Sequence, residues 1–177
     1  MRTSGVLMPI SSLPSPYGIG TMGKSARKFV DFLVKGGQTY WQILPLGPTS
    51  YGDSPSQSFS TFAGNPYFID LDTLVEEGVL DKKDCEKVNW GKKPDEVDYE
   101  KIYKGRYPLL RKAYGNSDIS KNPAYQKFVA ENSWWLSDYA LFMAVKDRFE
   151  GVEWTKWAED IRLRWNNAMD YYREELY

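Results

Sequence analysis

The apolar, β-type runs of this sequence, residues 4–10, 39–44 and 67–71, all fall within its first 71 of 177 positions. Between the first two, Ser25 is a candidate cap for a helix whose apolar residues Ala26, Phe29, Val30 and Leu33 follow i, i+3, i+4, i+7 spacing. Gly36-Gly37 should end that helix. Strand, helix, strand is the parallel βαβ pattern. A parallel sheet must be covered on both faces, and one crossover helix cannot do it. Either the remainder of this chain covers the sheet, or further chain does.

The remainder reads as helices. Asp72 and Asp81 are plausible caps of short ones. Residues 98–114 are helical in composition, with Gly115 as a stop and Pro108 expected to kink or restart the helix. Asn122-Pro123 is a cap followed by a first-turn proline. Residues 133–149 place Leu136, Tyr139, Ala140 and Met143 on one face, with Gly151 following. Residues 166–177 are amphipathic. The expected fold class is α/β at the start, in residues 1–77, followed by a mainly helical part in residues 78–177.

Charge divides the chain at the same place. Residues 1–77 carry 5 basic and 6 acidic side chains, whereas residues 78–177 carry 18 of each sign. The net charge of −1 argues against a nucleic-acid or membrane-surface partner, which calls for a basic excess. The chain has no histidine, which removes the commonest general base and most zinc sites. The single cysteine, Cys85, cannot form an internal disulfide and fits a reducing cytoplasm. No apolar run reaches membrane-spanning length, and the N-terminus lacks the apolar core of a signal peptide.

Aromatics are unusually frequent, with 7 Trp, 13 Tyr and 8 Phe. Trp134, Trp135, Trp154, Trp157 and Trp165 fall on helical patterns and are expected in the core. Two constellations invite a functional reading. Gly18-Ile19-Gly20-Thr21-Met22-Gly23-Lys24-Ser25 has the spacing of a phosphate-binding loop, and Tyr67-Phe68-Ile69-Asp70 could pass for the accompanying acidic strand. Seven residues, Pro14 and Pro16 among them, separate Ile10 from Gly18, which breaks the tight strand–loop–helix geometry such a loop uses. A P-loop NTPase is therefore a rival reading, with a plain glycine-rich turn as the alternative.

The second constellation is the stretch 45–60. Residues 36–69 contain one charge, Asp53, amid Gly, Pro, Ser, Thr and aromatics. Aromatic faces, an amide, a carboxylate and hydroxyls are the groups that hold sugars. The alternative is a loop that hydrogen-bonds itself. A stand-alone carbohydrate-binding module is the second rival reading.

The run Ser4-Gly5-Val6-Leu7 through Ser12-Leu13-Pro14-Ser15-Pro16-Tyr17-Gly18-Ile19-Gly20 resembles the opening of bacterial 4-α-glucanotransferase (amylomaltase, the disproportionating enzyme). So do Tyr40-Trp41-Gln42-Ile43-Leu44-Pro45-Leu46-Gly47-Pro48-Thr49, Tyr51-Gly52-Asp53-Ser54-Pro55, Gln57-Ser58-Phe59-Ser60 and Phe62-Ala63-Gly64-Asn65-Pro66-Tyr67. The resemblance is dense over residues 4–75 and looser beyond, as in Trp134-Trp135-Leu136-Ser137-Asp138-Tyr139-Ala140-Leu141-Phe142.

This resemblance implies a cytoplasmic retaining transglycosylase on a (β/α)8 barrel with helical insertions, acting on maltooligosaccharides and linear α-1,4-glucans. An aspartate would attack the anomeric carbon, a glutamate would act as acid and then base, and a sugar hydroxyl would accept the chain. No metal or organic cofactor takes part in that chemistry. A closed barrel takes about 250 residues, so the resemblance implies only the first strands and helix of one, in residues 1–77, and a helical subdomain in residues 78–177. The catalytic carboxylates would lie downstream, in the C-terminal part of the same enzyme, and this chain alone should be inactive. Tyr51, Asp53, Ser54, Ser56 and Gln57 would be substrate-binding. Ser56 stands where the family usually has tyrosine, which should weaken stacking on a glucose ring.

Overall fold

A computed structural model describes residues 2–49 and 53–176. It divides into two compact units, Met1–Ile119 and Ser120–Tyr177. Its sheet has two parallel strands, β1 (Gly5–Leu7) and β2 (Tyr40–Gln42), paired Gly5 to Tyr40, Val6 to Trp41 and Leu7 to Gln42. A Cβ on Gly5 would come within 2.6 Å of the Tyr40 carbonyl oxygen, so glycine is what lets the strands approach there. Helix α1 (Lys24–Lys35) crosses between them and ends at Gly36, with Gly37 at φ +66°. Ser25 is not its cap. Gly23 holds that position, and the Ser25 hydroxyl donates to the Pro14 carbonyl at 2.7 Å.

The third expected strand is absent. Residues Pro66–Phe68 form a 3-10 turn, and α2 (Leu71–Glu76) follows. The cause is local: the Asn65 side chain accepts from the Tyr67 N–H at 2.9 Å, and the Asp70 carboxylate accepts from the Thr73 N–H at 3.0 Å. The Asn65 side chain thus takes one backbone donor of the expected strand, the turn bonds from Phe68 to Asn65 and from Ile69 to Pro66 take two more, and the Asp70 cap starts a helix where the strand should end. Asp70, not Asp72, caps α2, while Asp81 caps α3 (Lys82–Glu86) as the sequence suggests.

Asp98 caps α4 (Tyr99–Gly115), which passes through Pro108 without interruption. Pro108 and Lys104, whose carbonyl loses its usual donor, are both exposed, so water can replace the missing bond. The core of the first unit gathers Tyr17, Leu71, Leu80, Cys85, Leu109 and Ala113 around α4. Ile10, Leu13 and Ala26 pack beneath the sheet, and Ile19, Tyr67 and Ile102 form a third cluster.

In the second unit Asn122 caps α5 (Pro123–Glu131), followed by α6 (Ser133–Arg148), α7 (Glu159–Arg162) and α8 (Asn166–Leu176). Its core is Leu141, Val145, Trp157, Ile161, Ala168 and Met169. The expected face of α6 is not the buried one: Leu136, Tyr139 and Met143 are half-buried and Ala140 is exposed. Apolar residues surround this helix, so periodicity cannot select a face, and the partners α7 and α8 do so instead. Trp157 alone of the five tryptophans is buried; Trp134, Trp154 and Trp165 are exposed. The chain is thus mostly helical with an open two-stranded sheet. Among the described residues no helix is long and apolar enough to cross a membrane.

Candidate functional site

The loop after β2 closes on itself. The Asn65 N–H donates to the Leu46 carbonyl at 2.7 Å, bringing the two ends of the loop together. Within it Thr49 and Ser58 form an isolated antiparallel bridge. A Cβ on Gly47 would lie 2.6 Å from Ser58 Oγ, so this crossing also depends on glycine. At the tip, the Gln57 N–H donates to the Ser54 carbonyl at 3.0 Å, a β-turn with Pro55 at its second position.

The loop hydroxyls divide into two sets. Ser58 Oγ donates to the Ser60 carbonyl at 2.8 Å, and Ser60 Oγ accepts from the Ala63 N–H at 3.0 Å. These two serve the loop itself. Asp53 and Ser54 are half-buried, and Ser56 and Gln57 are exposed at the turn. Tyr51 lies outside the described residues.

Asp53 has φ +55°, a left-handed conformation that aspartate tolerates better than most side chains. Burial holds its carboxyl above the ordinary carboxylate range. Burial raises the Tyr67 hydroxyl first, followed by Tyr107 and then the Asp53 charge, and burial followed by the Asp53 charge raises that of Tyr99. Tyr67 meets Tyr107 at 6.0 Å and Tyr99 at 6.4 Å between ring centroids, and Tyr103 meets Tyr107 at 5.2 Å. Tyr99, Tyr103 and Tyr107 follow one another at four-residue intervals along α4. Sequence reasoning missed this stripe, although the spacing was readable as one helix face. A carboxylate, an exposed amide, a turn hydroxyl and tilted tyrosine rings are the kinds of group that suit a neutral polyol. Among the described residues no group of three or more His, Cys, Asp or Glu side chains could hold a metal ion.

The glycine-rich stretch 18–25 is packed, not open. A Cβ on Gly18 would lie 2.8 Å from the Trp90 carbonyl oxygen, and one on Gly23 would meet the Asp70 carboxylate. The Gly20 N–H donates to Ser11 and the Met22 N–H to Phe68, both at 3.0 Å. Lys24 pairs with Glu76, and Asp70 accepts from Thr21 Oγ1 at 2.6 Å. Protein atoms occupy the places a phosphate would take. Lys24→Ala should leave thermal stability unaffected by magnesium-ATP, as in the parent; a nucleotide-dependent rise that the substitution abolishes would restore the phosphate-loop reading.

A cavity of about 240 Å³ in the second unit is lined by Leu141, Phe142, Trp154 and Trp157 among others. The Asp138 and Arg164 side chains at its edge pair with each other at 2.8 Å.

Residues 8–177 match the family model described as 4-alpha-glucanotransferase. The 4-alpha-glucanotransferase of Clostridium butyricum is 53% identical over 169 residues, covering 96% of this chain and 35% of that protein. That of Streptococcus pneumoniae serotype 4 is 54% identical over 177 residues, covering 99% and 35%. The solved amylomaltase from Streptococcus agalactiae in complex with acarbose superposes with a TM-score of 0.90 at 42% identity, covering 99% of this chain and 36% of that one. The chain spans about a third of the length of the curated relatives it matches. With a family match over nearly its whole length and the backbone of an amylomaltase segment, the chain belongs to the 4-alpha-glucanotransferase family.

Proposed function

We propose that this chain is the N-terminal third of a 4-alpha-glucanotransferase that transfers α-1,4-glucan segments between maltooligosaccharides with retention of configuration. The observation that carries the reading is the family match over residues 8–177. In this reading β1, α1 and β2 begin a (β/α)8 barrel within residues 1–77. Residues 78–177 are a helical subdomain inserted in it. The nucleophile and acid/base carboxylates come from the downstream part of the same cytoplasmic enzyme, and no cofactor is needed.

Tyr51, Asp53, Ser54, Ser56 and Gln57 would line a glucan groove. The half-buried Asp53 and Ser54 would accept and donate to sugar hydroxyls, while the turn presents Ser56 and Gln57 outward. That the amylomaltase of Streptococcus agalactiae was solved with acarbose supports a saccharide as the ligand class. The full-length protein incubated with maltotriose should yield glucose and longer oligomers, and residues 1–177 alone should yield neither. Absence of disproportionation by the full-length protein would overturn the reading. Saccharide binding by residues 1–177 without any turnover in the full-length protein would favour a binding module.

Ser56→Tyr in the full-length enzyme should lower KM for maltooligosaccharides by roughly five- to ten-fold, the worth of one aromatic face contact of about 1 kcal/mol. The turnover number should change less, since a ring remote from the anomeric carbon binds ground and transition states alike. Ser56 is exposed, so the ring has room and the melting temperature should hold. An unchanged KM would remove Ser56 from the groove.

A further inference from the structure

Among the described residues Arg106 is the only charged side chain in the core, at 0% exposure. It sits on α4 between the buried Ile102 and Leu109. Its Nη2 donates to the Ile69 carbonyl, while Nε and Nη1 are buried without a hydrogen-bond partner among the described residues. An apolar side chain would pack such a site at less cost than a partly satisfied guanidinium. The charge therefore needs a reason beyond filling space.

The bonds around Ile69 supply one. The preceding carbonyl, that of Phe68, accepts from the Met22 N–H at 3.0 Å. The following side chain, that of Asp70, accepts from Thr21 Oγ1 at 2.6 Å and caps α2. Four residues upstream, Asn65 closes the loop on the Leu46 carbonyl at 2.7 Å and fixes the turn that carries Tyr67. The corner at residues 68–70 is where the candidate loop ends and α2 begins, and Arg106 bonds it to the helix that bears Tyr99, Tyr103 and Tyr107.

We propose that Arg106 is a positioning residue for glucan binding: by gripping the Ile69 carbonyl it sets residues 65–69, where the loop closes, against the tyrosine stripe of α4. The inference rests on the glucanotransferase reading above. Only one of its N–H directions is used, so a lysine, which keeps the charge and one reachable donor, should serve in its place.

The test uses the full-length enzyme with Arg106→Met, Arg106→Lys and Leu109→Ala, assayed on maltotriose well below the melting temperature of the least stable variant. Leu109 is buried on the same helix, in the cluster with Leu71, Leu80 and Ala113, and makes no bond to the Ile69 carbonyl, so its truncation loosens α4 while leaving the Arg106 grip in place. Arg106→Met should raise KM roughly ten-fold with the turnover number within about two-fold. It should also speed amide exchange at Gln57, Asn65 and Tyr67 by about ten-fold, with exchange in α1 and α8 unchanged. Arg106→Lys should restore both quantities, and Leu109→Ala should lower the melting temperature with KM unchanged. Where methionine does not fold, Arg106→Gln carries the same two readouts. A KM like that of Leu109→Ala, uniform acceleration of exchange, or no rescue by lysine would overturn the proposal. If the wild-type enzyme shows no disproportionation, the functional reading fails, and the exchange pattern still decides whether Arg106 tethers the loop.

Discussion

Gly20→Ala is expected to destabilise the first unit by about 3 kcal/mol or more, at the upper end of what overpacking costs. The added Cβ would press on the Ile10 carbonyl oxygen and come within 2.7 Å of the Leu13 nitrogen and 2.8 Å of its oxygen. All three are backbone atoms of a buried turn, and none can rotate away. The Gly20 N–H also bonds the Ser11 carbonyl, so moving this segment aside would sacrifice that bond. Gly64→Ala, with nothing within 4 Å of its Cβ, should fall within about 0.5 kcal/mol of the parent. Calorimetry on both variants checks the contrast, and equal melting would show that residues 10–13 yield more easily than a closed turn should.

Asp70→Ala should cost about 3 kcal/mol. Loss of a helix cap contributes about 1 kcal/mol. The rest comes from losing the Thr21 bond and from leaving buried Arg106 without its neighbouring carboxylate, a change of the kind that costs up to 3–5 kcal/mol for a direct buried pair. Asp70→Asn separates the two parts, because asparagine caps nearly as well but carries no charge.

The same carboxylate gives a pH signature. Burial pushes the Asp70 carboxyl up, but hydrogen bonds from Thr21 and Thr73, with the Arg106 charge, outweigh it and hold it below the ordinary value. A lowered folded value means that the stabilisation is complete above the unfolded value of about 3.9 and is lost as pH falls through the folded one. Stability measured below about pH 4 should therefore fall less steeply in Asp70→Asn than in the parent. Identical acid slopes would mean that Asp70 is not held in its charged form.

Much of the helical outline was legible because its boundaries are written in side chains that act on their nearest neighbours. Asp81, Asp98 and Asn122 each accept from a backbone N–H two or three residues on, and Gly37 adopts the left-handed φ that ends α1. The parallel strand pair was legible for the same reason: one amphipathic helix joins two short apolar runs. Residues 67–71 have an apolar, β-type composition, but Asn65 and Asp70 divert their backbone into turns. The burial of α6 was not legible, since Leu141 and Val145 are chosen by Trp157 and Met169, partners that no local pattern names.

The candidate site shows the same division. Pro55 and its turn could be read from residues 54–57. That the Asp53 charge bears on Tyr99, more than forty positions away on α4, could not, because packing alone brings them together. The tryptophans were placed in the core on helical pattern, whereas at 52% exposure Trp154 edges a cavity rather than filling one.

The division at Ile119 and Ser120 governs what light the protein gives back. Trp41 and Trp90 belong to the first unit, with their indole N–H groups bonded to Met8 and Cys85 carbonyls at 2.8 and 2.9 Å. The other five indoles belong to the second unit, and Trp134, Trp154 and Trp165 already face water at 50–68% exposure. Native emission should therefore be dominated by red-shifted fluorophores that hardly change when the chain unfolds. The spectral shift on melting reports Trp135 and Trp157 in one unit and Trp41 and Trp90 in the other, each on its own curve where the units open separately. Replacing the three exposed indoles by phenylalanine would unmask both signals and let the loosening of either unit be followed by colour alone.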